Sequence, residues 1–353
     1  MKHVLFWGRY GNYGPDYPRN RVIDSVMREL GCRVSRFVPL LSPLADIEYA
    51  MRGGVRPDVV WVPCFRQRDL PAAARYARRQ GVALVFDPLI SAYDKQVSER
   101  RKFAAVSAKA RRLLAWESRL FNLPDFLVAD TAGHADYFHT THGVPRDRLV
   151  VIPVGAEEAL FAPVALQPKP LDRPLELVFF GTFIGLQGVD VLARAIRAYS
   201  GQPVRWRLIG EGPLRAGCEQ ILAGVPGVSF EAWVPLPELP GRLASADAIL
   251  GIFGSTDKSL RVIPNKVYQG LALSRPVITA RTPAYPAGLT ADESAGILWA
   301  EPGDEDSICA AVARLIARRQ ELPRVSAAAR QTYETHFSNR VIADVLRSLL
   351  KPG

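Results

Sequence analysis

The segment that indicates the architecture of this chain reads Arg261-Val-Ile-Pro-Asn-Lys-Val-Tyr-Gln-Gly-Leu-Ala-Leu-Ser-Arg-Pro-Val-Ile-Thr279. The apolar run Ala248 to Phe253 precedes it and predicts a buried strand that ends at a polar loop. The middle of the segment predicts a helix that ends before Pro276, and Val277 to Ala280 predicts the next strand. The segment is therefore expected to form a strand, loop, helix and strand of a parallel sheet.

The start of this helix predicts an anion site. Pro264 fixes the backbone dihedral at the entry, and the side chain of Asn265 can cap the first amides. Lys266 stands in the first turn, where its charge opposes the helix dipole. A cation among amides at the carboxyl end of a parallel sheet is what a diphosphate requires. An ordinary crossover whose lysine extends to solvent is the alternative.

Composition favours a globular protein of two domains, because 353 residues exceed what one core usually supports. No apolar run approaches the roughly 18 residues of a membrane span, and the opening residues do not resemble a signal peptide, so we expect a cytoplasmic protein. The four cysteines are scattered, which argues against a zinc site or a disulfide framework. A net charge of +10 favours anionic partners.

The first half alternates predicted strands with predicted helices, which indicates a parallel sheet. Its first strand leads into a glycine loop containing Gly11, which we expect to cover a ligand; a plain turn is the alternative. The glycine spacing is not that of dinucleotide binders, so a nicotinamide dehydrogenase is disfavoured. Asp87 and Asp94 follow the strand Val82 to Phe86, where such sheets bind ligands, although Asp87 before a proline can instead be ordinary loop chemistry.

Residues Lys95 to Leu120 predict one long basic amphipathic helix. Its cations are Lys95, Arg100, Arg101, Lys102, Lys109, Arg111, Arg112 and Arg119, and its apolar residues include Phe103, Val106, Leu113 and Trp116. Such a helix suits an anionic membrane surface, and replacing Arg111 and Arg112 with Glu is then expected to abolish vesicle binding. A solvated face over a core stripe is the alternative. Nucleic acid is disfavoured as a partner, because no aromatic residues interleave with the charges.

Three histidines follow the predicted strand Phe126 to Ala129. They are His134, His139 and His142. Only His139 and His142 have a spacing that puts them on one helix face, so we expect no metal among the three. His134, next to the strand end, is the better candidate for contacting a sugar or phosphate.

The segment 167–174 is rich in proline and predicts a linker between a first domain, 1–166, and a second, 175–337. The second half repeats the strand, glycine loop and helix pattern. Leu175 to Phe180 predicts a strand before Gly181, and Trp206 to Ile209 predicts one before Gly210. Glycines there allow a ligand to approach the backbone.

The ordered motifs of the chain resemble those of family 4 retaining glycosyltransferases, which have the GT-B fold. The motifs are Phe179-Phe-Gly181-Thr-Phe-Ile-Gly-Leu-Gln-Gly188, Leu208-Ile-Gly-Glu-Gly-Pro213, Ala246-Asp247, Pro264-Asn-Lys266, Leu271-Ala272 with Pro276-Val-Ile278, Asp130-Thr131 with His134, and Tyr17-Pro-Arg-Asn20. The resemblance covers nearly the whole chain. It implies an α/β protein with two Rossmann-like, doubly wound parallel-sheet domains facing across a cleft, and a last helix, 338–353, that completes the first domain.

The resemblance also implies a donor site in the second domain, with departures. Many family members have cations where this chain has Thr182 and Gln187, and a pair of glutamates where it has Arg261 and Gln269. Arg261 and Lys266, with Lys258, can replace the absent cations, and Gln269 can still bind ribose hydroxyls. The implied donor-binding residues are Gly11, Gly181, Thr182, Gln187, Gly210, Glu211, Lys258, Arg261, Asn265, Lys266 and Gln269. The candidate catalytic residues are Asp87, at the position of the family's histidine, Asp94, from its place after the same strand, and His134.

Together these features predict a retaining hexosyl-type glycosyltransferase that uses a nucleoside diphosphate sugar and needs no metal or other cofactor. The expected acceptor is a sugar or a lipid-linked sugar in envelope or exopolysaccharide synthesis, and the protein is expected to bind the inner face of the membrane peripherally. Two alternatives stay open. One is a nucleotide-sugar epimerase of the same fold, and the other is a sugar-nucleotide binding protein without catalysis.

Overall fold

A computed structural model of the chain describes residues 1–8, 17–100, 102–170, 172–291 and 294–350. The chain divides into two compact units. The first comprises Met1–Val154 and Asn339–Gly353, and the second comprises Gly155–Ser338. The glycine loop with Gly11 lies outside the described residues.

The first unit is built on a parallel sheet of six strands in the order β2-β1-β3-β4-β5-β6. The strands are β1 His3–Trp7, β2 Arg33–Phe37, β3 Val59–Val62, β4 Ala83–Phe86, β5 Phe126–Ala129 and β6 Leu149–Val151. The helices along the same stretch are α1 Pro18–Glu29, α2 Ala45–Met51, α3 Leu70–Gln80, α4 Ala108–Phe121 and α5 Ala132–His142. Every residue of β1 and β3 is buried, because helices cover both faces of the sheet.

The second unit repeats this plan with a parallel sheet of six strands in the order β12-β11-β10-β7-β8-β9. The strands are β7 Leu175–Phe180, β8 Val204–Ile209, β9 Val228–Glu231, β10 Ala248–Leu250, β11 Val277–Ala280 and β12 Ile297–Ala300. The helices are α6 Val189–Ala198, α7 Arg215–Ile221, α8 Leu239–Leu243, α9 Asn265–Ala272, α10 Glu305–Ala317 and α11 Leu322–His336. The predicted pair of Rossmann-like parallel sheets is confirmed.

The last helix, α12 Asn339–Leu349, belongs to the first unit, where it packs on α1. Ile342 and Leu346 on its inner face join a buried cluster with Val4, Phe6 and Val22. The chain therefore passes through the whole second unit before it completes the core of the first.

The division between the units differs from the predicted linker. It falls between Val154 and Gly155, so the proline-rich segment 167–174 lies within the second unit. Arg319 holds that segment by donating to the carbonyls of Pro170 at 2.7 Å and Arg173 at 2.6 Å. Proline content alone indicated a break there, but these long-range hydrogen bonds join the segment to the second unit.

The long basic helix predicted from Lys95 to Leu120 is wrong. A π-helical turn covers Asp94–Glu99, and α4 begins only at Ala108. The break is set by Ser107, whose hydroxyl caps α4 by accepting a hydrogen bond from the Ala110 amide at 3.2 Å. The described helices include none that is both long and apolar enough to span a membrane.

Candidate functional site

Lys266 is the cation of the predicted anion site, and the second unit buries it almost completely. Its side chain lies at the start of α9 and is 4% exposed. The Nζ atom donates to Oε1 of Gln187 at 2.6 Å and lies 3.5 Å from the ring centroid of Phe179, at the end of β7. Burial lowers the pKa of Lys266 well below its ordinary value, whereas the ring face and the amide oxygen both favour the charged form.

Gly181 and Gly210 follow the ends of the neighbouring strands β7 and β8, and both have strongly positive φ angles, +133° and +132°. A Cβ at Gly181 would lie 3.5 Å from Nζ of Lys266. A Cβ at Gly210 would lie 2.0 Å from the carbonyl oxygen of Gly181. The close contact between the two loops therefore requires glycine at Gly210. At Gly181, the lack of a side chain leaves the backbone uncovered next to Lys266.

The entry to α9 differs from the prediction in one respect. Asn265 is the first residue of the helix, Pro264 takes the cap position, and no side chain caps the first turn. The predicted cap by Asn265 is wrong because the helix starts one residue too early for it. The anion site predicted at this turn consequently rests on Lys266 and the backbone.

Other residues predicted to bind the donor lie on α9 or just before it. Lys258 is buried, and Arg261 is partly buried in the short 3-10 turn Ser259–Arg261 that precedes α9. Gln269 lies one turn after Lys266 on α9 and is also buried. Asn265 is half-buried. These residues stay predicted donor contacts.

Two of the predicted donor residues are exposed. Thr182 is exposed after Gly181. Glu211 pairs with Arg215 at 2.7 Å, and the same guanidinium donates to the carbonyl of Gly210 at 2.6 Å. Glu211 therefore helps to hold the loop after β8 through Arg215.

Asp87, in the first unit, is 2% exposed and forms an ion pair with the fully buried Arg19 at 2.7 Å. Arg19 also donates to the carbonyls of Ile152 and Pro153. Burial raises the pKa of Asp87 and outweighs the opposing effect of Arg19. The geometry gives Asp87 a definite structural contact, which joins α1, the end of β4 and the segment after β6.

His134 lies at the start of α5, after β5, which pairs with β4. Its Nδ1 atom is hydrogen-bonded to the carboxylate of Asp130, and its ring stacks on Phe138. In the neutral ring, donation from Nδ1–H to this carboxylate leaves Nε2 as the acceptor. An imidazole oriented in this way can accept a hydrogen bond from a hydroxyl, and the contact of His134 with a sugar or phosphate stays a prediction.

The structure places a buried carboxylate, Glu117, next to the predicted residue Asp94. Glu117 on α4 accepts from the Ser91 hydroxyl at 2.6 Å and from the backbone amides of Ala92 at 2.6 Å and Tyr93 at 2.9 Å. Asp94 is also buried, at the start of the following π-helical turn. Sequence reasoning gave Glu117 no role, and the only signal was an acidic residue in a basic stretch.

The histidines contact protein groups separately. His139 Nδ1 lies 2.9 Å from the Val144 carbonyl oxygen, and His142 Nδ1 lies 3.0 Å from the Ser118 hydroxyl. Across the part of the chain that the structure describes, no group of three or more His, Cys, Asp or Glu residues could hold a metal ion. The absence of metal in the protein stays a prediction.

Sequence comparison matches both halves of the chain to glycosyltransferase families. Residues 4–155 match the model described as "Glycosyl transferase 4-like domain". Residues 174–318 match the model described as "Glycosyl transferases group 1". The chain belongs to the group 1 glycosyltransferases.

Curated relatives of this group 1 glycosyltransferase are similar over part of their length. The chain is 27% identical over 180 residues to the lipopolysaccharide core biosynthesis glycosyltransferase LpsD of Rhizobium meliloti, covering 50% of this chain and 49% of that protein. It is 27% identical over 245 residues to a GDP-mannose-dependent alpha-(1-6)-phosphatidylinositol dimannoside mannosyltransferase of Mycobacterium tuberculosis, covering 64% of this chain and 60% of that protein. The matches thus span less than two thirds of these relatives.

Two solved structures share the fold of this chain over nearly its whole length. Anabaena HepE, in complex with UDP, superposes with a TM-score of 0.71 and 13% identity, covering 99% of both chains. Sucrose-phosphate synthase from Thermosynechococcus elongatus superposes with a TM-score of 0.70 and 14% identity, covering 99% of this chain and 98% of that one. At this identity the likeness establishes the GT-B fold alone.

Proposed function

We propose that this protein transfers a hexosyl group from a nucleoside diphosphate sugar to an acceptor hydroxyl with retention of the anomeric configuration. The observation that carries the proposal is Lys266, whose amino group is buried beside the backbone of Gly181. A buried ammonium is costly unless an anion compensates it, and a donor diphosphate is the anion that a group 1 glycosyltransferase is expected to bind.

In the proposed reaction the protein acts mainly by electrostatics. Breaking the bond between the sugar and the diphosphate leaves negative charge on the diphosphate oxygens, and Lys266 with the first turn of α9 would stabilise it. Arg261 would grip two oxygens through its planar guanidinium, and Gln269 would hydrogen-bond the ribose. These cations supply the charge that many family members place at the positions of Thr182 and Gln187.

The acceptor we propose is a sugar or lipid-linked sugar of an envelope or exopolysaccharide glycan. The two curated relatives are named for lipopolysaccharide core synthesis and for a phosphatidylinositol dimannoside, which supports an acceptor of this class. His134, oriented by Asp130, is the proposed sugar contact in the first unit.

The experiment is a thermal-shift panel of UDP-, GDP-, ADP- and dTDP-sugars, followed by transfer assays with the sugars that stabilise the protein. A donor at a hundred times its dissociation constant is expected to stabilise by about 2.7 kcal/mol. Proton NMR of the product then reports the anomeric configuration. An inverted product would contradict retention, and donor conversion to an epimer without acceptor would assign an epimerase. Stabilisation without hydrolysis or transfer would identify a binding protein instead.

A further inference from the structure

The first unit carries a concentrated apolar surface that neither the donor site nor the core explains. Thirteen large apolar side chains are exposed among the described residues, and seven of them lie between positions 38 and 55. They are Val38, Leu40, Leu41, Leu44, Ile47, Met51 and Val55, which we call the 38–55 surface. Large apolar side chains scattered singly are normal, whereas a run of this kind indicates a contact surface.

Three of these residues lie on one side of α2, counting Leu44 at its N-cap. Leu44, Ile47 and Met51 follow each other by three and four positions, so they lie along the same outward face of the helix. The inward face is already occupied, because Tyr49 packs against Trp7 and Phe37 with ring centroids 5.5 Å and 4.8 Å apart. A surface helix normally presents polar residues on the face opposite its core contacts. Here α2 presents aliphatic residues instead.

Arginines border the 38–55 surface and outnumber the acids of α2. Arg75 and Arg79 from α3 both pair with Asp46 at 2.6 Å, and Arg52 pairs with Glu48 at 2.6 Å. Three guanidinium groups therefore pair with two carboxylates, so this border has a net positive charge. All three arginine side chains stay about half exposed.

We propose that the 38–55 surface docks on an anionic membrane, with its aliphatic side chains at the boundary of the acyl chains and its arginines among the headgroup phosphates. An aliphatic stripe beside cations is the pattern of an interfacial helix, and each cation near an anionic surface adds to the attraction. Three guanidinium groups against two carboxylates leave the border of this surface with a net positive charge. That charge complements the negative surface of an anionic membrane, which is why we assign the surface to lipid.

This assignment replaces the segment 95–120 that the sequence pointed to. Within α4, Ala110 and Leu120 are buried, and Trp116 packs against the core cluster of the first unit. The apolar face of α4 is therefore used inside the protein, and the cations around it form a solvated surface. Val106, just before α4, is the one large apolar side chain exposed between positions 102 and 121.

The test is sedimentation with vesicles at low salt, which uses neither donor nor acceptor and so does not depend on the proposed reaction. The parent is expected to sediment with vesicles of phosphatidylglycerol and phosphatidylcholine, and not with phosphatidylcholine alone. Ile47→Glu and Met51→Glu are expected to lower the partition coefficient at least about tenfold. Val106→Glu makes the same change at a site that is 81% exposed, close to the 83% of Met51, and is expected to sediment like the parent.

Each outcome decides the proposal. Loss of sedimentation in both α2 variants with Val106→Glu unaffected, and with unchanged circular dichroism, supports it. Sedimentation of Met51→Glu like the parent overturns it, as does a parent that binds neither kind of vesicle. An equal loss in Val106→Glu would show that charge alone controls binding and would also overturn it. Self-association of the parent that Ile47→Glu abolishes would assign the 38–55 surface to a second copy of the chain instead.

Discussion

Lys266 shows how the burial of one side chain can define a binding site. Among the described residues it has no carboxylate within ion-pair distance, and its Nζ atom contacts an amide oxygen and a ring face. Both groups attract a cation, but neither carries the full negative charge that would compensate a buried ammonium. A bound diphosphate would supply that charge. Binding of an anion therefore explains why this amino group is buried, whereas the contacts within the protein do not.

Lys266 and Arg261 are expected to contribute unequally to the binding of a diphosphate. Lys266→Ala is expected to weaken the binding of a nucleoside diphosphate by about 1.5–3 kcal/mol, the range for hydrogen bonds to charged groups, with nucleoside affinity nearly unchanged. Arg261→Ala is expected to cost less, because Arg261 is only partly buried in the preceding turn. Calorimetric titration with UDP and uridine, or with the base that the thermal-shift panel selects, measures both. Lys266→Met keeps most of the buried volume and controls for the cavity. Parent-like diphosphate affinity in Lys266→Met would place the anion elsewhere.

A second prediction concerns the proton on Lys266. Burial lowers the pKa of Lys266 in the free protein, and a bound diphosphate would raise it by favouring the ammonium form. Between these two pKa values, binding takes up as much as about one proton, so diphosphate affinity falls as the pH rises through that window. Titrations in buffers of different ionisation enthalpy count the proton. Lys266→Met is expected to show less uptake, with only the ligand's own titration left. Equal uptake in parent and variant would contradict the role of Lys266.

At the scale of the element, the sequence predicted the parallel strands well and the ends of helices poorly. Buried strands such as β3 and β11 read as short apolar runs between turn residues, so their positions follow from local composition. The break before α4 depends on one serine acting as a cap, which a helical pattern of charges and apolar residues does not reveal.

The contacts around the candidate residues depended on partners distant in the sequence. Arg19 and Asp87 are 68 residues apart, and Glu117 lies 24 residues from Tyr93. No spacing rule connects such pairs, so the sequence could point to Asp87 and Asp94 but not to the groups that hold them. Lys266 was different, because the start of a helix at a strand end is recognisable locally.

A third prediction tests the contact of α4 with the segment after β4. Ala92 and Tyr93 donate to different oxygens of Glu117, so Glu117→Gln places an amide nitrogen opposite the N–H group of one of them and leaves a neutral oxygen for the other. The free energy of unfolding is expected to fall by about 1.5–3 kcal/mol, because buried donors lose a charged acceptor. Urea denaturation measures this loss. Glu219→Gln is the matched control, since Glu219 is 44% exposed and pairs with Arg215 on the surface, where about 0–1 kcal/mol is expected. Equal losses in the two variants would contradict the special role of Glu117.

At the scale of the whole molecule, two sheets of similar plan are joined so that the chain leaves the first unit, builds the second and returns with α12. This order makes the core of the first unit depend on residues more than 300 positions apart, since Leu346 packs in the same cluster as Val4 and Phe6. The second unit has its own cluster, which includes Leu315 on α10. Each unit can therefore be weakened separately.

The last prediction uses that separation. Leu346→Ala removes a fully buried side chain from the first unit, and Leu315→Ala removes one from the second. Each deletion is expected to cost about 2–5 kcal/mol through lost burial and the cavity left behind. Hydrogen exchange measured by mass spectrometry should therefore rise in β1, β3 and α1 for Leu346→Ala, and in β7, β10 and α6 for Leu315→Ala. Because the two substitutions are chemically identical, any difference in location comes from the fold. Faster exchange confined to the second unit in Leu346→Ala would show that α12 does not complete the first.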